Sequence, residues 1–410
     1  MHVFLVGGAV RDILLNIPSP DRDWVVVGGT PDKMVAAGFK PVGKDFPVFL
    51  HPQTNEEYAL ARQERKTGKG YKGFTFHTSP DITLEEDLLR RDLTINAIAQ
   101  SAEGEFLDPF NGQQDIHDKI LRHVSPAFAE DPVRVLRVAR FAARFHHLGF
   151  RIAAETYALM QSIVASGEID HLVQERVWKE FSRALSEQSP SVFIEVLRDC
   201  GALKRLMPEL DMLFGIPQPE KHHPEIDTGL HSLLSLDRCA QLTPSAEARF
   251  AALIHDLGKG LTPPEKWPSH HGHEQAARPA VVALCDRLGA PNSFRDLALG
   301  VAEFHTHGHR ALELTAKTLL TTLQRLDAYR RPERFKLFCI CCQADAQGRT
   351  GLEHQPYPQA DYLQQALETL QSIDTKAMAA SGLKGAAFGD ALHKKRLSRL
   401  EELKRSTAHN

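Results

Sequence analysis

At 410 residues the chain is long enough for about two to four domains, each with its own core. Its 42% hydrophobic and 25% charged residues are ordinary for a globular protein and exclude low-complexity, disordered and collagen-like classes. A formal net charge of -3 excludes a global pull toward nucleic acid, so any polyanion site must come from local clusters of arginine and lysine. No signal peptide opens the chain and no apolar run of about eighteen residues could span a bilayer, so no membrane association is expected. The six cysteines include a Cys339-x-x-Cys342, but no second pair stands at zinc-site spacing. Cys339 and Cys342 lie in or near the apolar run Phe335–Ile340, which reads as a buried helix with core thiols. The reducing cytoplasm is the expected compartment.

In chain order, Val3–Val6 reads as a strand that Gly7-Gly8 turns into a helix carrying Arg11 and Asp12. A strand, a glycine pair and a helix start offer backbone N–H groups to a phosphate, and Arg11 adds a charged fork. Many such turns bind nothing. Asp21-Arg22-Asp23-Trp24 then leads into the β-branched run Val25–Val27. On a strand Asp21 and Asp23 share a face, where two carboxylates can hold one or two magnesium ions against a triphosphate. Surface strands carry such pairs often, so the motif decides nothing alone.

Residues 31–37 read as a short helix, and 42–50 and 57–62 as strands. Gly68-Lys69-Gly70-Tyr71-Lys72-Gly73 matches the dinucleotide fingerprint letter for letter. No helix opens there and no βαβ repeat follows, so a cationic loop fits better. The segment from Leu84 to Ala97 orders acids before arginines as a helix dipole favours, yet its Arg90-Arg91-Asp92-x-Thr94-x-Asn96 run is denser in polar groups than an amphipathic face needs. A hairpin is expected over 98–107. Pro126–Leu148 reads as one helix, with Arg134, Arg137, Arg140 and Arg144 in a single sector of about 120° and Val135, Val138, Ala142 and Phe145 on the other side. A solvated basic face is the bland account of that stripe. Four arginines without a lysine favour planar, bidentate contacts instead.

Gly7-Gly8-Ala9-Val10-Arg11-Asp12, Asp21-x-Asp23, Arg90-Arg91-Asp92-x-Thr94-x-Asn96-Ala97, Glu130-Asp131-x-x-Arg134 and Arg137-x-x-Arg140-Phe141 occur in that order. Together they resemble the bacterial class II tRNA nucleotidyltransferases and their relatives the bacterial poly(A) polymerases. The resemblance implies a polymerase-β-like head in an α+β fold with a small mixed sheet, followed by an all-α body. Asp21 and Asp23 would bind Mg2+, Gly8 and Arg11 the triphosphate, and Arg91, Asp92 and Asn96 the sugar and phosphates. Glu57 and Glu64 both stand as a third carboxylate.

Cytosine and adenine both present an exocyclic amine beside a ring-nitrogen acceptor, whereas uracil and guanine present a carbonyl beside an N–H. A carboxylate next to a guanidinium therefore matches C and A, and each missed buried pairing costs about 1–3 kcal/mol. In the resembled family the positions of Asp131 and Arg134 read the incoming base without a nucleic-acid template, and Arg137 and Arg140 are assigned to triphosphate and base support. Three helices over 155–200 are expected to carry the tRNA acceptor arm.

After a proline-rich break at 217–224, the apolar run Arg249–Ile254 leads into His255-Asp256-Leu257-Gly258-Lys259 and reads as one helix to Gly260. His231 lies upstream, and His270, His271, His273 and His305 follow. This is similar to an HD-type phosphohydrolase domain, with His231, His255, Asp256 and His305 as metal ligands and Asp345 as a further acid beyond the expected range. An all-histidine and carboxylate set suits Ni2+, or Mn2+ or Co2+, and the implied chemistry is 2′,3′-cyclic phosphodiesterase, 2′-nucleotidase or phosphatase. The expected domains are a head over 1–125, a helical body over 126–224, an HD domain over 225–330 and a helical region over 331–410. Residues 394–405 read as a solvated tail. The expected partners are tRNA, CTP and ATP; monomer and homodimer both stand.

Overall fold

The structure, a computed structural model, describes residues 1–19, 22–42, 48–66, 74–380, 382 and 384–407. Asp21 and the Gly68–Gly73 loop lie outside the described residues. The chain divides into two compact units, one of residues 1–184 with 192–206 and one of residues 185–191 with 207–410.

The first unit opens on β1 (His2–Val6), α1 (Gly8–Leu14), β2 (Asp23–Val27), α2 (Pro31–Ala36), β3 (Lys40–Val42), β4 (Val48–Leu50) and β5 (Glu57–Leu60). The single strand expected over 42–50 is two, β3 and β4, paired antiparallel from Lys40↔Leu50 to Val42↔Val48. β6 (Arg62–Lys66) and β7 (Phe74–Thr78) form a separate two-stranded sheet. With β8 (Ala99–Gln100) and β9 (Phe106–Leu107) the main sheet runs β3-β4-β5-β2-β1-β8-β9. It is mixed, because β2 and β5 pair in parallel while the other neighbours are antiparallel. The short β-branched run of β2 is buried on both sides. Val25 packs with Val6, Ala61 and Leu88 on one face, and Val26 with Met34, Phe49 and Leu60 on the other. Asp23 stands at the start of β2 on the Val25 face, in register with Glu57 of β5.

α3 (Leu84–Leu89) begins with a capping box between Thr83 and Glu86. Asp92 ends it. Its Oδ1 accepts from Leu93 N at 2.9 Å and Asn96 Nδ2 at 3.0 Å, so side chain and backbone satisfy each other in a turn closed by a 3-10 helix, Thr94–Asn96. α4 (Gly112–Asp118) follows. The expected 126–148 helix is interrupted. A 3-10 turn, Pro126–Glu130, precedes α5 (Val133–Phe145), and between them Asp131 is extended because a residue before proline is driven out of the helical region. α6 (Ala154–Ala165), α7 (Gln174–Leu185), α8 (Ser191–Asp199) and α9 (Ala202–Leu206) complete the unit as expected for its helical body.

The second unit is helical throughout: α10 (Pro208–Asp211), α11 (Thr228–Leu242), α12 (Ala246–Ile254), α13 (His273–Leu288), α14 (Asn292–His309), α15 (Ala316–Arg325), α16 (Pro332–Gln347), α17 (Pro358–Gln371), α18 (Thr375–Ala380) and α19 (Gly385–Thr407). α12 is apolar almost all round and lies at the centre of α11, α14 and α16. Its one charged interior residue, Arg249, donates to the carbonyls of Thr243, Leu185, Glu187 and Ala240, so the buried guanidinium is satisfied by backbone. All six cysteines are free and buried. The run expected as a solvated tail is part of α19, which packs on α15 and α17 through Leu400 and anchors Lys404 on Leu314 O at 2.5 Å. Among the described residues no helix is long and apolar enough to cross a membrane.

Candidate active sites

A cleft of about 930 Å³ opens in the first unit, lined from β1–α1, β2, β5, the turn after α3, α5 and α7. At its edge the strand-to-helix turn depends on Gly7, whose φ of +70° and ψ of −130° only glycine adopts readily. A Cβ there would stand 2.8 Å from Arg91 NH1. Asp23, Glu57, Gly8, Arg11, Arg91, Asp92, Asn96, Asp131, Arg134, Arg137 and Arg140 all line this one cleft. Glu64 lies on β6, opposite Phe76 in the small sheet.

The polar residues form one continuous network. Arg11 donates to Asp12 Oδ1 at 2.7 Å and to Asn96 Oδ1 at 2.6 Å, and Asn96 passes the chain to Asp92. Arg137 Nε closes it on Asp92 Oδ2 at 2.7 Å. Burial raises the Asp92 carboxyl, but Arg137 and Asn96 outweigh it and hold the group well below the usual carboxylate range. Arg11 is buried and its guanidinium lies 5.1 Å from the ring centres of Phe141 and Phe145 on α5. Asp87, wholly buried, grips Arg90 and Arg91 together. It also accepts from Arg62 N at 3.2 Å.

The arginine stripe of α5 is not a solvated basic face. Arg134 donates to Ala127 O at 3.0 Å and to Arg90 O at 2.5 Å, Arg140 to Glu180 at 2.6 Å, and Arg144 to Asp12 at 3.1 Å. Asp131 is held from α7. Arg176 grips both its oxygens, NH1 to Oδ1 at 2.9 Å and NH2 to Oδ2 at 2.7 Å. Sequence reasoning missed α7 as part of the site. Its signal was present, since Arg176, Lys179, Glu180 and Arg183 fall on one helical face.

In the second unit, five elements converge on one buried cluster. α11 supplies His231, the end of α12 His255 and Asp256, the start of α13 His273, α14 His305 and His309, and α16 Asp345. The helix expected through Gly260 stops at Ile254. His255 and Asp256 sit at its C-terminal bend before a 3-10 turn, Leu257–Leu261. Gly258 in that turn makes the bend possible, because a Cβ would stand 1.9 Å from His273 O.

His231 Nδ1 faces Gly348 O at 3.1 Å, His255 Nδ1 Ala252 O at 2.8 Å, and His305 Nδ1 Val301 O at 3.1 Å. A carbonyl only accepts, so each Nδ1 carries the hydrogen and each Nε2 lone pair is turned inward. There it meets more acceptors. His231 Nε2 lies 3.0 Å from Asp345 Oδ1, and His255 Nε2 lies 3.1 Å from Asp256 Oδ2 and 3.5 Å from Asp345 Oδ2. His255 Nε2 and Asp256 Oδ1 are buried without a hydrogen-bond partner. Converging lone pairs of this kind demand a cation, and the set fits a divalent transition metal. A proton is the other way to meet the demand: burial lowers His255, but Asp256 and Asp345 outweigh it and push it up to about 9. His305 goes the other way, lowered to about 3 chiefly by burial. Asp345 thus joins the cluster from well outside the range expected. Besides these residues, His273, His309 and Lys259 were not singled out as ligands or contacts. Lys259 Nζ reaches Asp256 Oδ2 at 2.6 Å, and His309 Nε2 donates to Asp345 Oδ2 at 2.7 Å.

Fold and sites define a polymerase-type nucleotidyltransferase joined to an HD-type, divalent-metal phosphohydrolase. Three family models match parts of the chain: the Poly A polymerase head domain residues 3–122, the probable RNA- and SrmB-binding site of polymerase A residues 149–214, and the HD domain residues 228–345. The chain is 66% identical to the multifunctional CCA protein of Teredinibacter turnerae over 98% of both chains, and 58% identical to that of Pseudomonas fluorescens over 100% of both. A solved CCA-adding enzyme with ATP shares the fold, with a TM-score of 0.64 at 20% identity over 99% of this chain and 89% of that one. The chain belongs to the multifunctional CCA protein family.

Proposed function

We propose that the head adds C, C and A in turn to tRNA 3′ ends, from CTP and ATP and without a nucleic-acid template, and so also repairs damaged ends. The observation that carries this is the single cleft in which Asp23 and Glu57 face the Arg11–Asn96–Asp92–Arg137 network and the Asp131–Arg176 pair. Asp21 and Asp23 hold Mg2+, which supplies positive charge to the triphosphate, and Glu57 is the third carboxylate by its register with Asp23. Gly8 and Arg11 receive the triphosphate at the start of α1. Arg91, Asp92 and Asn96 fix sugar and phosphates, and Arg137 and Arg140 support them.

Asp131 accepts from the exocyclic amine of C or A, and Arg134 donates to the neighbouring ring nitrogen. A carboxylate has about four lone-pair sites, so Asp131 keeps its bond to Arg176 while accepting from the base. In the second unit His231, His255, Asp256, His305 and Asp345 hold Ni2+, or Mn2+ or Co2+, for hydrolysis of 2′,3′-cyclic phosphates and phosphomonoesters. Six buried, unpaired thiols suit a cytoplasmic enzyme.

The test is a tRNA transcript ending at the discriminator base, incubated with CTP, ATP or both, its products sequenced beside those of Asp21→Ala. Addition of C-C-A and then a stop, absent in the variant, is expected. Long tails from ATP alone would refute the reading in favour of poly(A) synthesis.

A further inference from the structure

Nucleotide addition requires the cleft of the first unit to hold two polyanions at once, a nucleoside triphosphate and the 3′ end of an RNA strand. Eleven cationic side chains line that cleft, and nearly all are already engaged within the chain. Seven of the arginines are met by the carboxylates of Asp12, Asp87, Asp92, Asp131 and Glu180. Arg134 donates to two backbone carbonyls, and the charge of Arg62 acts on Asp87. Two cations are left over, Lys179 and Arg183 of α7. Among the described residues neither makes a hydrogen bond or an ion pair, even with Glu175 or Glu180 on the same helix.

Their setting also differs from that of the rest. Arg11 and Arg140 are buried and fixed in one geometry, which suits a ligand that returns to the same position in every cycle, as the nucleotide does. Lys179 and Arg183 are exposed on the cleft wall, one helical turn apart and about 6 Å along the axis. The helix beneath them is held at both levels. Arg176, one turn before Lys179, grips Asp131, and Glu180 ties α7 to Arg140 of α5 at 2.6 Å. The two free charges therefore stand on a fixed support beside Asp131. Lys179 is the one lysine among the described lining residues. Its ammonium is a point charge with rotatable donors and demands no single direction of approach. Such charge can follow a strand whose end lies one nucleotide further on after each addition.

We propose that Lys179 and Arg183 form the subsite for the backbone phosphates at the single-stranded 3′ end of the RNA primer. This rests on the reading of the head as a CCA-adding site and deepens it by assigning the second polyanion. The engaged arginine network takes the triphosphate, in the same place for each of the three additions. The α7 pair takes the strand by charge rather than by fixed hydrogen bonds, so the strand can shift by one phosphate as each nucleotide is joined.

The experiment uses the full chain and a tRNA transcript ending at the discriminator base, with CTP incorporation measured against tRNA at saturating CTP and against CTP at saturating tRNA. In the double variant Lys179→Gln, Arg183→Gln the KM for tRNA should rise about tenfold, while the KM for CTP keeps the parent's value. Each single-stranded phosphate contact contributes about 0.7 to the slope of log affinity against log salt, so kcat/KM for tRNA should become less salt-dependent by about 1.4. Lys179→Arg with Arg183→Lys keeps both charges and should restore KM and slope. A tRNA with neutral methylphosphonate linkages at its last two positions should raise the parent's KM as the double substitution does and add nothing to the variant's. That arm decides the matter on the parent alone, even where the double variant fails to fold. A raised KM for CTP, an unchanged KM or salt slope for tRNA, or a parent indifferent to the neutral linkages would overturn the subsite while leaving CCA addition in place. No incorporation of CTP by the parent would overturn the CCA reading itself, and the subsite with it.

Discussion

Gly258→Ala is a small perturbation with a large expected effect. The added Cβ would lie 1.9 Å from His273 O and 2.8 Å from Ala277 N, where real Cβ contacts essentially never fall below 3.0 Å. The obstacle is backbone, so the 3-10 turn and the start of α13 must separate by about 1 Å, at an overpacking cost of about 1–3 kcal/mol. Asp256 is two residues before the glycine and His273 is the residue struck, so the shift falls between Asp256 Oδ1 and His273 Nε2, now 3.5 Å apart. A misplacement of about 1 Å at a reacting centre costs about 10²-fold. Nickel-dependent hydrolysis of 2′,3′-cyclic AMP should therefore fall about 10²-fold, while CCA addition by the same preparation is unchanged. A folded variant that hydrolyses within a factor of about two of the parent would refute the reasoning.

Asp131→Ala removes the acceptor for the exocyclic amine, and competition assays should show UTP discrimination falling by about 5- to 150-fold, the equivalent of about 1–3 kcal/mol; unchanged preference would count against base reading by this residue. Asp87→Ala leaves the Arg90 and Arg91 guanidiniums without their shared buried partner. Both are mostly buried, and urea unfolding should report a loss of about 3 kcal/mol. Asp92 contributes through pH. Its folded carboxyl sits below its ordinary value, so the stability it adds is complete above the unfolded pKa of about 3.9 and is lost as pH falls through the lower folded value. Arg137→Met removes the main force holding that carboxyl down, so acid unfolding of the head, followed by near-ultraviolet circular dichroism, should begin at higher pH.

The motifs that were legible are those with a local period. A strand, two glycines and a helix announce the turn into α1, and arginines three, three and four apart announce the α5 face. What escaped is what closes over distance. Asp131 and Arg176 are 45 residues apart, and nothing local in either says that they meet. Asp345 lies 114 residues beyond His231 and joins it only because α16 packs on α11. Helix ends were misread where a single residue overrides the apolar pattern: Pro132 breaks the helix expected from Pro126, and the glycines after Asp256 let the chain turn against α13. In α19 the dense charge of 394–405 hid the one residue, Leu400, that is fully buried.

Three of the inward-turned histidines owe their orientation to main chain; the fourth, His231, also has the Glu225 carboxylate 3.0 Å from its Nδ1. His255 leans on Ala252 O three residues back, His273 on His270 O three back, and His305 on Val301 O four back. Each ring is thus aimed by the turn of helix or loop that carries it, and no second side chain has to be retained for it to point correctly. Such a site tolerates wide variation in its immediate neighbours, because replacing Ala252 or Val301 by another residue that keeps the turn leaves the carbonyl in place. Its vulnerability lies elsewhere, in anything that shifts helical phase by one residue: a single insertion ahead of His305 in α14 would rotate the ring by about 100° and remove it from the cluster.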